Sequence, residues 1–157
     1  RMQRDTKAWD TPDREYEDFL ADKPQLRILL LGDYEQVRKR YIEFKKLAAG
    51  LTIDESGVEK QEVDIGESSS LPVRIYKPTG VDTTFKLPAL VVYHGGGWVI
   101  GDLQTEHPVC VKLCAAVKCV IFNVDYRLAP QHPFPAAAED AVTALDWVKA
   151  HAKDYNL

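Results

Sequence analysis

Two helical patterns precede any strand-like pattern along this chain. In the first, between Thr11 and Pro24, a threonine N-cap and a proline at the first helical position come before a short apolar stripe. In the second, Asp33 and Gln36 have the spacing of a capping box, and apolar residues then recur at the helical period as far as Gly50. Both segments are therefore predicted to be amphipathic helices that pack on structure formed later in the chain.

The hydrophobic period changes to two at residue 58. Apolar and polar residues alternate over 58–66 and again over 71–77, with a serine-rich turn between the two runs. This pattern predicts two antiparallel strands. Two continuous apolar runs follow, at 88–93 and 119–126, and such runs are typical of strands buried on both faces.

A helical pattern follows each of these continuous apolar runs. The first covers residues 105–117, and the second is an amphipathic helix that begins at or near Pro135. The order strand, helix, strand, helix favours parallel strands with helical crossovers. The sequence therefore predicts an α/β fold in which antiparallel first strands are followed by a parallel part of the sheet.

Composition and charge limit the classes of function. Of the 157 residues, 45% are hydrophobic and 28% are charged, which is the balance of a globular domain. The net charge of −4 gives no electrostatic support for a nucleic-acid partner. No run approaches the roughly 18 apolar residues of a membrane span, and the N-terminus lacks the apolar core of a signal peptide.

The three cysteines, Cys110, Cys114 and Cys119, are clustered and flanked by aliphatic residues. An odd number of cysteines in this setting favours reduced thiols in a core over a disulfide framework. We therefore expect an intracellular protein, located in the cytoplasm.

Three potential metal ligands share one predicted helical face, because His107, Cys110 and Cys114 stand at positions i, i+3 and i+7. Leu113 and Val117 are expected on the same face, which would bury thiolates beside aliphatic side chains. Buried cysteines more often act as small hydrophobic residues, and a fourth ligand at zinc-type spacing is lacking. We therefore predict no metal site.

The segment that carries candidate chemistry is His94–Gly97, HGGG, directly after the strand predicted at 88–93. Ligand and catalytic groups gather at the carboxyl ends of parallel strands. Glycines there allow successive N–H groups to point at one anion, which is either a phosphate or the oxyanion of acyl transfer. The phosphate-binding patterns GxxxxGK[ST] and GxGxxG are absent. The residues leave two alternatives, an oxyanion-hole loop and a plain glycine turn that allows Trp98 to pack.

Two segments, HGGGWVIGDL at 94–103 and DYRLAPQHPFPAAAEDA at 125–141, resemble the hormone-sensitive-lipase family of α/β-hydrolases in sequence, order and spacing. The resemblance covers residues 58–157, and the first helices are similar in type to the family's N-terminal cap helices. It implies cap or lid helices over residues 1–52. It also implies an incomplete, N-terminal half of an α/β-hydrolase core over residues 53–157.

The resemblance implies an activity as well as a fold. A complete member of the family would be a serine carboxylesterase that forms an acyl-enzyme from a small or medium acyl ester and hydrolyses it, without a metal or organic cofactor. Two other functions stay open. One is an amidase or deacetylase of the same fold, and the other is a non-catalytic ligand-binding protein similar to the gibberellin receptors.

The resemblance also implies roles for the residues of the HGGGW segment. Gly96 and Gly97 are the expected backbone donors of the oxyanion hole, and Gly95 is needed for the turn. His94 is expected to support the loop and not to act as the general base, because the triad histidine of this fold comes last in the chain. Trp98 is expected either to line the acyl pocket or to pack in the core.

Asp125, Tyr126 and Arg127 end the strand predicted at 119–126, close in the sheet to the glycines. Structural ion pairs often collect near active sites. We therefore expect these residues to be structural, with an Asp–Arg pair that holds the loop at 127–135.

The nucleophile of such an enzyme is absent from residues 1–157. An α/β-hydrolase needs a serine in G-x-S-x-G, followed along the chain by an acid and then a histidine. The serines of this chain, none of which stands in that motif, are Ser56, Ser68, Ser69 and Ser70. On the predicted strand count the elbow would follow Leu157. We therefore expect this stretch alone to hydrolyse no ester, and to need the remainder of the hydrolase domain as a continuation or second fragment.

Overall fold

The chain divides into two compact units, Arg1–Ala49 and Gly50–Leu157. The computed structural model describes residues 14, 18, 21–22, 33–48, 52–66 and 69–157. The interpretation of residues 1–52 as cap or lid helices, and of 53–157 as an incomplete hydrolase core, stays a prediction.

A 15-residue helix, α1 (Tyr34–Ala48), forms in the first unit. Its N-terminus is capped as predicted, because Asp33 Oδ1 accepts a hydrogen bond of 3.0 Å from the Gln36 N–H. Four residues of the helix predicted after Thr11 are described, and all four are helical: Arg14, Asp18, Ala21 and Asp22. The rest of that helix lies outside the described residues, as does the expected helix end at Gly50.

The second unit is built on a four-stranded sheet in the order β1-β2-β4-β3. Its strands are β1 (Val58–Asp64), β2 (Pro72–Pro78), β3 (Ala89–Tyr93) and β4 (Val120–Val124). β2 pairs antiparallel with both β1 and β4, whereas β3 and β4 are parallel. The predicted antiparallel start of the sheet and its parallel continuation are therefore confirmed.

Two helices, α2 (His107–Val117) and α3 (Ala136–Ala150), cover opposite faces of this sheet. Successive side chains of a strand point to opposite faces, so β2 and β4 each contribute to two separate core clusters. The cluster beneath α3 includes Val73, Ile75 and Phe122, and the cluster beneath α2 includes Tyr76 and Ile121. None of the helices in the described part of the chain is both long and apolar enough to span a membrane.

The two strands predicted to be buried on both faces differ in outcome. All five residues of β4 are buried, as predicted. The prediction for β3 is wrong, because Leu90 and Tyr93 are 40% and 39% exposed. Within the described residues β4 is the only strand beside β3, which therefore lies at the edge of the sheet. The side chains of an edge strand are covered by neighbours on one side only.

The buried face of α2 is shifted from the predicted one. Leu113 and Val117 are 37% and 59% exposed, so their predicted place on the buried face is wrong. The buried residues follow the spacing i, i+3, i+4 and i+7, and they are His107, Cys110, Val111 and Cys114. Leu113 stands six residues after His107, which turns its side chain away from the sheet.

The three cysteines are free and buried, as the aliphatic flanks predicted. Burial raises the pKa of Cys110 to about 12 and the pKa of Cys114 to about 11. Both groups are therefore neutral thiols near pH 7, which fits core residues.

His107 joins three elements where α2 begins. Its Nε2 lies 3.0 Å from Glu55 Oε1, and its Nδ1 lies 3.0 Å from the hydroxyl of Tyr76 on β2. Burial lowers the pKa of His107, and the hydrogen bond with Glu55 opposes part of that effect. No group of three or more His, Cys, Asp or Glu side chains within the described residues is placed to hold a metal ion.

We expect the free energy of unfolding to fall as the pH is lowered from about 7.5 to about 5.5 because of His107. The unfolded histidine, with an ordinary pKa of 6.5, takes up a proton in this range that the folded residue rejects. The charges of Lys60 and Arg74 also oppose its protonation, and Glu55 favours it. Urea unfolding at several pH values should show a flatter profile for His107→Gln. A profile of His107→Gln as steep as that of the parent would contradict the assignment.

Candidate active site

The glycine loop, residues 94–103, begins where β3 ends. β3 and β4 run parallel with Tyr93 opposite Val124, so the residues that follow both strands emerge at the same edge of the sheet. This register places His94 beside Asp125 and Tyr126. The edge is the one at which open α/β sheets carry their ligand and catalytic groups.

The backbone of the glycine loop turns sharply at three consecutive residues with positive φ. These are Gly96 at 128°, Gly97 at 59° and Trp98 at 64°. A Cβ on Gly96 would lie 2.0 Å from the Ile100 carbonyl oxygen, so only glycine fits there. The Gly96 carbonyl accepts hydrogen bonds from the N–H groups of Val99 (3.2 Å) and Ile100 (3.1 Å), which closes the turn. A positive φ at a tryptophan is uncommon and is found where surrounding structure or function requires it.

The N–H groups of the three glycines differ in what they bind. The Gly95 N–H donates to Glu106 Oε1 at 3.4 Å. Among the residues that the structure describes, the N–H groups of Gly96 and Gly97 donate no hydrogen bond. A Cβ built on Gly97 meets no atom within 4 Å, and Gly97 lines an open cavity. Gly96 and Gly97 therefore keep N–H groups that have no acceptor within the described residues.

His94 is buried behind the loop and is bound on several sides. Its Nδ1 lies 2.9 Å from the Gly95 carbonyl oxygen, and its ring stacks on Tyr126 with the centroids 4.2 Å apart. The Tyr126 hydroxyl donates to the His94 carbonyl oxygen at 2.6 Å. The ring also presses against Gly101, where a Cβ would lie 2.0 Å from Nδ1. His94 Nε2 is 3.8 Å from Asp125 Oδ1.

The acidic partners of Arg127 are on α3, and not the neighbouring Asp125 that the sequence favoured: Asp140 is the nearer, and Glu139 Oε2 lies 3.5 Å from Nη2. Asp140 is 4% exposed. Its carboxylate accepts hydrogen bonds from Arg127 Nε (2.9 Å), Nη2 (2.7 Å) and the backbone N–H (2.8 Å). Hydrogen bonding to Asp140 raises the pKa of the Arg127 guanidinium. The ion pair thus ties the loop after β4 to α3, while Asp125 faces His94.

Trp98 lines a cavity beside the glycine loop. It is 67% exposed, so the alternative that it packs in the core is wrong. Its carbonyl oxygen accepts a hydrogen bond of 2.9 Å from Ala129, which ties the glycine loop to the loop at 127–135. The cavity has a volume of about 650 Å³, and its walls are mainly aromatic and alanine side chains, among them Tyr93, Trp98, Phe134, Ala137 and Ala141.

Three residues that shape this site escaped the sequence interpretation. Gly101 had a signal, since an isolated glycine in an apolar segment marks a close approach of the backbone. Asp140 directly follows Glu139 near the start of α3, where acidic residues are common, so its signal is weaker. The link from Glu106 to Gly95 joins residues 11 apart, and no local pattern points to it.

The mixed sheet, the helices on both of its faces and the glycine turn after a parallel strand define residues 50–157 as part of an α/β hydrolase. A family model described as the alpha/beta hydrolase fold matches residues 90–157. The chain is similar to several carboxylesterases of the hormone-sensitive-lipase family within that fold.

Two curated relatives and one solved structure illustrate the similarity. Carboxylic ester hydrolase LipN of Mycobacterium tuberculosis is 46% identical over 89 residues, which are 57% of this chain and 23% of LipN. Ethyl acetate hydrolase of Pseudomonas putida is 32% identical over 119 residues, which are 76% of this chain and 37% of that enzyme. An arylesterase structure, 29% identical, matches with a TM-score of 0.73 over 92% of this chain and 46% of its own. The chain spans less than half the length of each of these proteins.

Proposed function

We propose that residues 1–157 belong to a serine carboxylesterase that acts through an acyl-enzyme, and that they supply its oxyanion hole. The observation that carries the proposal is the pair of N–H groups of Gly96 and Gly97. Both are without a protein acceptor among the described residues, and Gly97 lines the apolar cavity. The bound position of Gly95, whose N–H is taken by Glu106, supports its assignment to the turn and not to the donor pair.

The geometry supports stabilisation of the tetrahedral intermediate. When a nucleophile attacks an ester carbonyl, negative charge develops on the carbonyl oxygen, and fixed N–H donors stabilise that charge most at the transition state. Gly96 and Gly97 provide such donors on a loop that His94, Tyr126 and Gly101 hold in place. The same charge develops during ester and amide cleavage, so the donors alone do not select between an esterase and an amidase.

The nucleophile, acid and base of this enzyme lie outside residues 1–157 in this proposal. We propose that the remainder of the domain packs on the edge of β3 and on the adjoining face of α3. Leu90 on β3, and Val142 and Leu145 on α3, are between 40% and 60% exposed. Exposed apolar side chains beside an unpaired strand edge are the surface that a further strand and helix would cover.

Short and medium acyl esters are the proposed substrates. The cavity of about 650 Å³ lies in the usual range for small-molecule sites and is lined mainly by apolar groups. The similarity to an ethyl acetate hydrolase supports the short end of that range.

Hydrolysis of a series of p-nitrophenyl esters by the complete protein tests this function. We expect the acetate and butyrate esters to be cleaved with higher kcat/KM than the laurate ester, and the corresponding anilides to be cleaved much more slowly. Faster cleavage of the anilides than of the esters would show that the protein is an amidase and not an esterase. Tight binding of esters without turnover would instead favour a non-catalytic ligand-binding protein.

A further inference from the structure

Asn123 is a fully buried polar residue near the C-terminal end of the inner strand β4. Its Nδ2 donates a hydrogen bond of 2.9 Å to the carbonyl oxygen of Leu103. Its Oδ1 is buried and has no hydrogen-bond partner among the described residues. A buried acceptor without a partner is unfavourable for the folded state. The amide oxygen therefore costs the strand stability, and the residue's contribution lies in the bond from Nδ2 to Leu103.

Arg74 binds the same carbonyl oxygen from the neighbouring strand. It stands opposite Asn123 in the register of β2 and β4, and its Nη1 lies 3.4 Å from the Leu103 oxygen. Glu62 on β1 holds the guanidinium through Nε at 2.8 Å. With its amide oxygen toward Arg74, the side chain of Gln104 accepts from the guanidinium at 3.0 Å. Side chains of the adjacent strands β2 and β4 thus both donate to the Leu103 carbonyl oxygen.

Leu103 is the last residue of the glycine loop, so this carbonyl is the far anchor of the loop. The near anchor is His94, which Tyr126 binds through its hydroxyl. Gly96 and Gly97 lie between the two anchors. A donor that is displaced by a fraction of an ångström stabilises the transition state less well, because its direction relative to the developing charge matters.

We propose that Asn123, assisted by Arg74, is a positioning residue for the oxyanion hole. The side-chain amide of Asn123 fixes the end of the glycine loop through Leu103 and thereby aims the N–H groups of Gly96 and Gly97. The proposal rests on the proposed function, since it assigns to the sheet a part in that catalysis. It explains why an amide with an unpaired oxygen occupies a core position of the inner strand β4.

The variant Asn123→Val in the complete enzyme separates this role from a structural one. Valine is somewhat larger than asparagine, favours strands and removes both the donor and the unpaired oxygen. We expect kcat to fall about tenfold or more, with KM within about twofold of the parent. The inhibition constant of a trifluoromethyl ketone, which mimics the tetrahedral intermediate, should rise by the same factor as kcat/KM falls. The Tm should be close to that of the parent, because the loss of the bond to Leu103 is offset by removal of the unpaired oxygen.

Asn156 offers a matched control, because its Nδ2 also holds backbone carbonyls, those of Thr83 (3.1 Å) and Phe85 (2.8 Å), in a different loop. Asn156→Asp loses these donors and should lower the Tm while leaving kcat unchanged. If Asn123→Val does not fold, Asn123→Ala replaces it, with kcat corrected for the fraction of enzyme that a fluorophosphonate titrates.

The outcomes are distinguishable. Unchanged kcat in an active parent background would overturn the positioning role and leave the proposed function intact. The positioning role would also be overturned if kcat falls only because a smaller fraction of the enzyme reacts with the titrant. A parent protein that cleaves no ester would overturn the proposed function and this role with it. A lower kcat with full titration and an undiminished Tm would establish the role.

Discussion

Replacing Gly97 with alanine in the complete enzyme is expected to lower kcat about a hundredfold, the lower end of the loss that follows removal of one oxyanion donor. Gly97 has a φ of 59°, where a side chain costs roughly 1–2 kcal/mol. We expect the loop to relieve this strain by rotating the peptide whose N–H is the proposed oxyanion donor. The new methyl group also enters the cavity that Gly97 lines. The measurement is kcat with a short-chain ester, together with the free energy of unfolding.

Gly80 is a close match to Gly97 and provides the control. Its φ is 65°, and a Cβ there also meets no atom within 4 Å. Gly80→Ala should therefore cost a similar free energy of unfolding, about 1–2 kcal/mol, without a change in kcat. Equal kcat values for the two variants would show that the Gly97 N–H is not a donor of the oxyanion hole.

Replacing Asp140 with alanine is expected to lower the free energy of unfolding by about 2 kcal/mol, as is typical when a buried charged group that accepts hydrogen bonds is lost. The loss is not larger because Arg127 is 24% exposed and keeps Glu139 as a partner. Asp140 is 4% exposed and accepts from both the side chain and the backbone of Arg127. Without the carboxylate, these donors lose their acceptor. The loop at 127–135, which includes the cavity residues Ala129 and Phe134, loses its tie to α3. Urea unfolding of the complete protein measures the effect.

Asp146 on the same helix provides the matched comparison. Its carboxylate pairs with Lys149 at 3.2 Å, and both side chains are 66% exposed. Solvent-exposed pairs contribute little to stability, so Asp146→Ala should change the free energy of unfolding by about 0.5 kcal/mol or less. A similar small change for Asp140→Ala would show that the buried pair does not stabilise the loop.

Local patterns were sufficient to predict most of the sheet and the position of the glycine loop. Alternation over two residues predicts β1 and β2, because it matches the period of a strand. The capping spacing of Asp33 and Gln36 predicts where α1 begins, because that hydrogen bond forms within one turn. The glycine run predicts a turn of unusual backbone conformation, which Gly96 and Gly97 adopt.

Features that depend on residues far apart in the chain could not be predicted from the sequence. The choice of Asp140 over Asp125 as the partner of Arg127 depends on how α3 docks after the loop, a relation between residues 13 apart. The exposure of β3 depends on which strands flank it, and its own residues carry no signal of that. The buried face of α2 was predicted wrongly because apolar residues occur on more than one face of this helix. Packing against the sheet, and not the sequence pattern, decides which face is buried.

We propose that the oxyanion donors lie within residues 1–157 and that the nucleophile lies outside them. Covalent labelling tests this proposal most directly. The 157-residue chain and the complete protein are each treated with a fluorophosphonate, and the adduct is located by peptide mass spectrometry. We predict no adduct on the chain alone and one adduct in the complete protein, on a serine outside residues 1–157. A fluorophosphonate adduct on Ser56, Ser68, Ser69 or Ser70 would contradict the account.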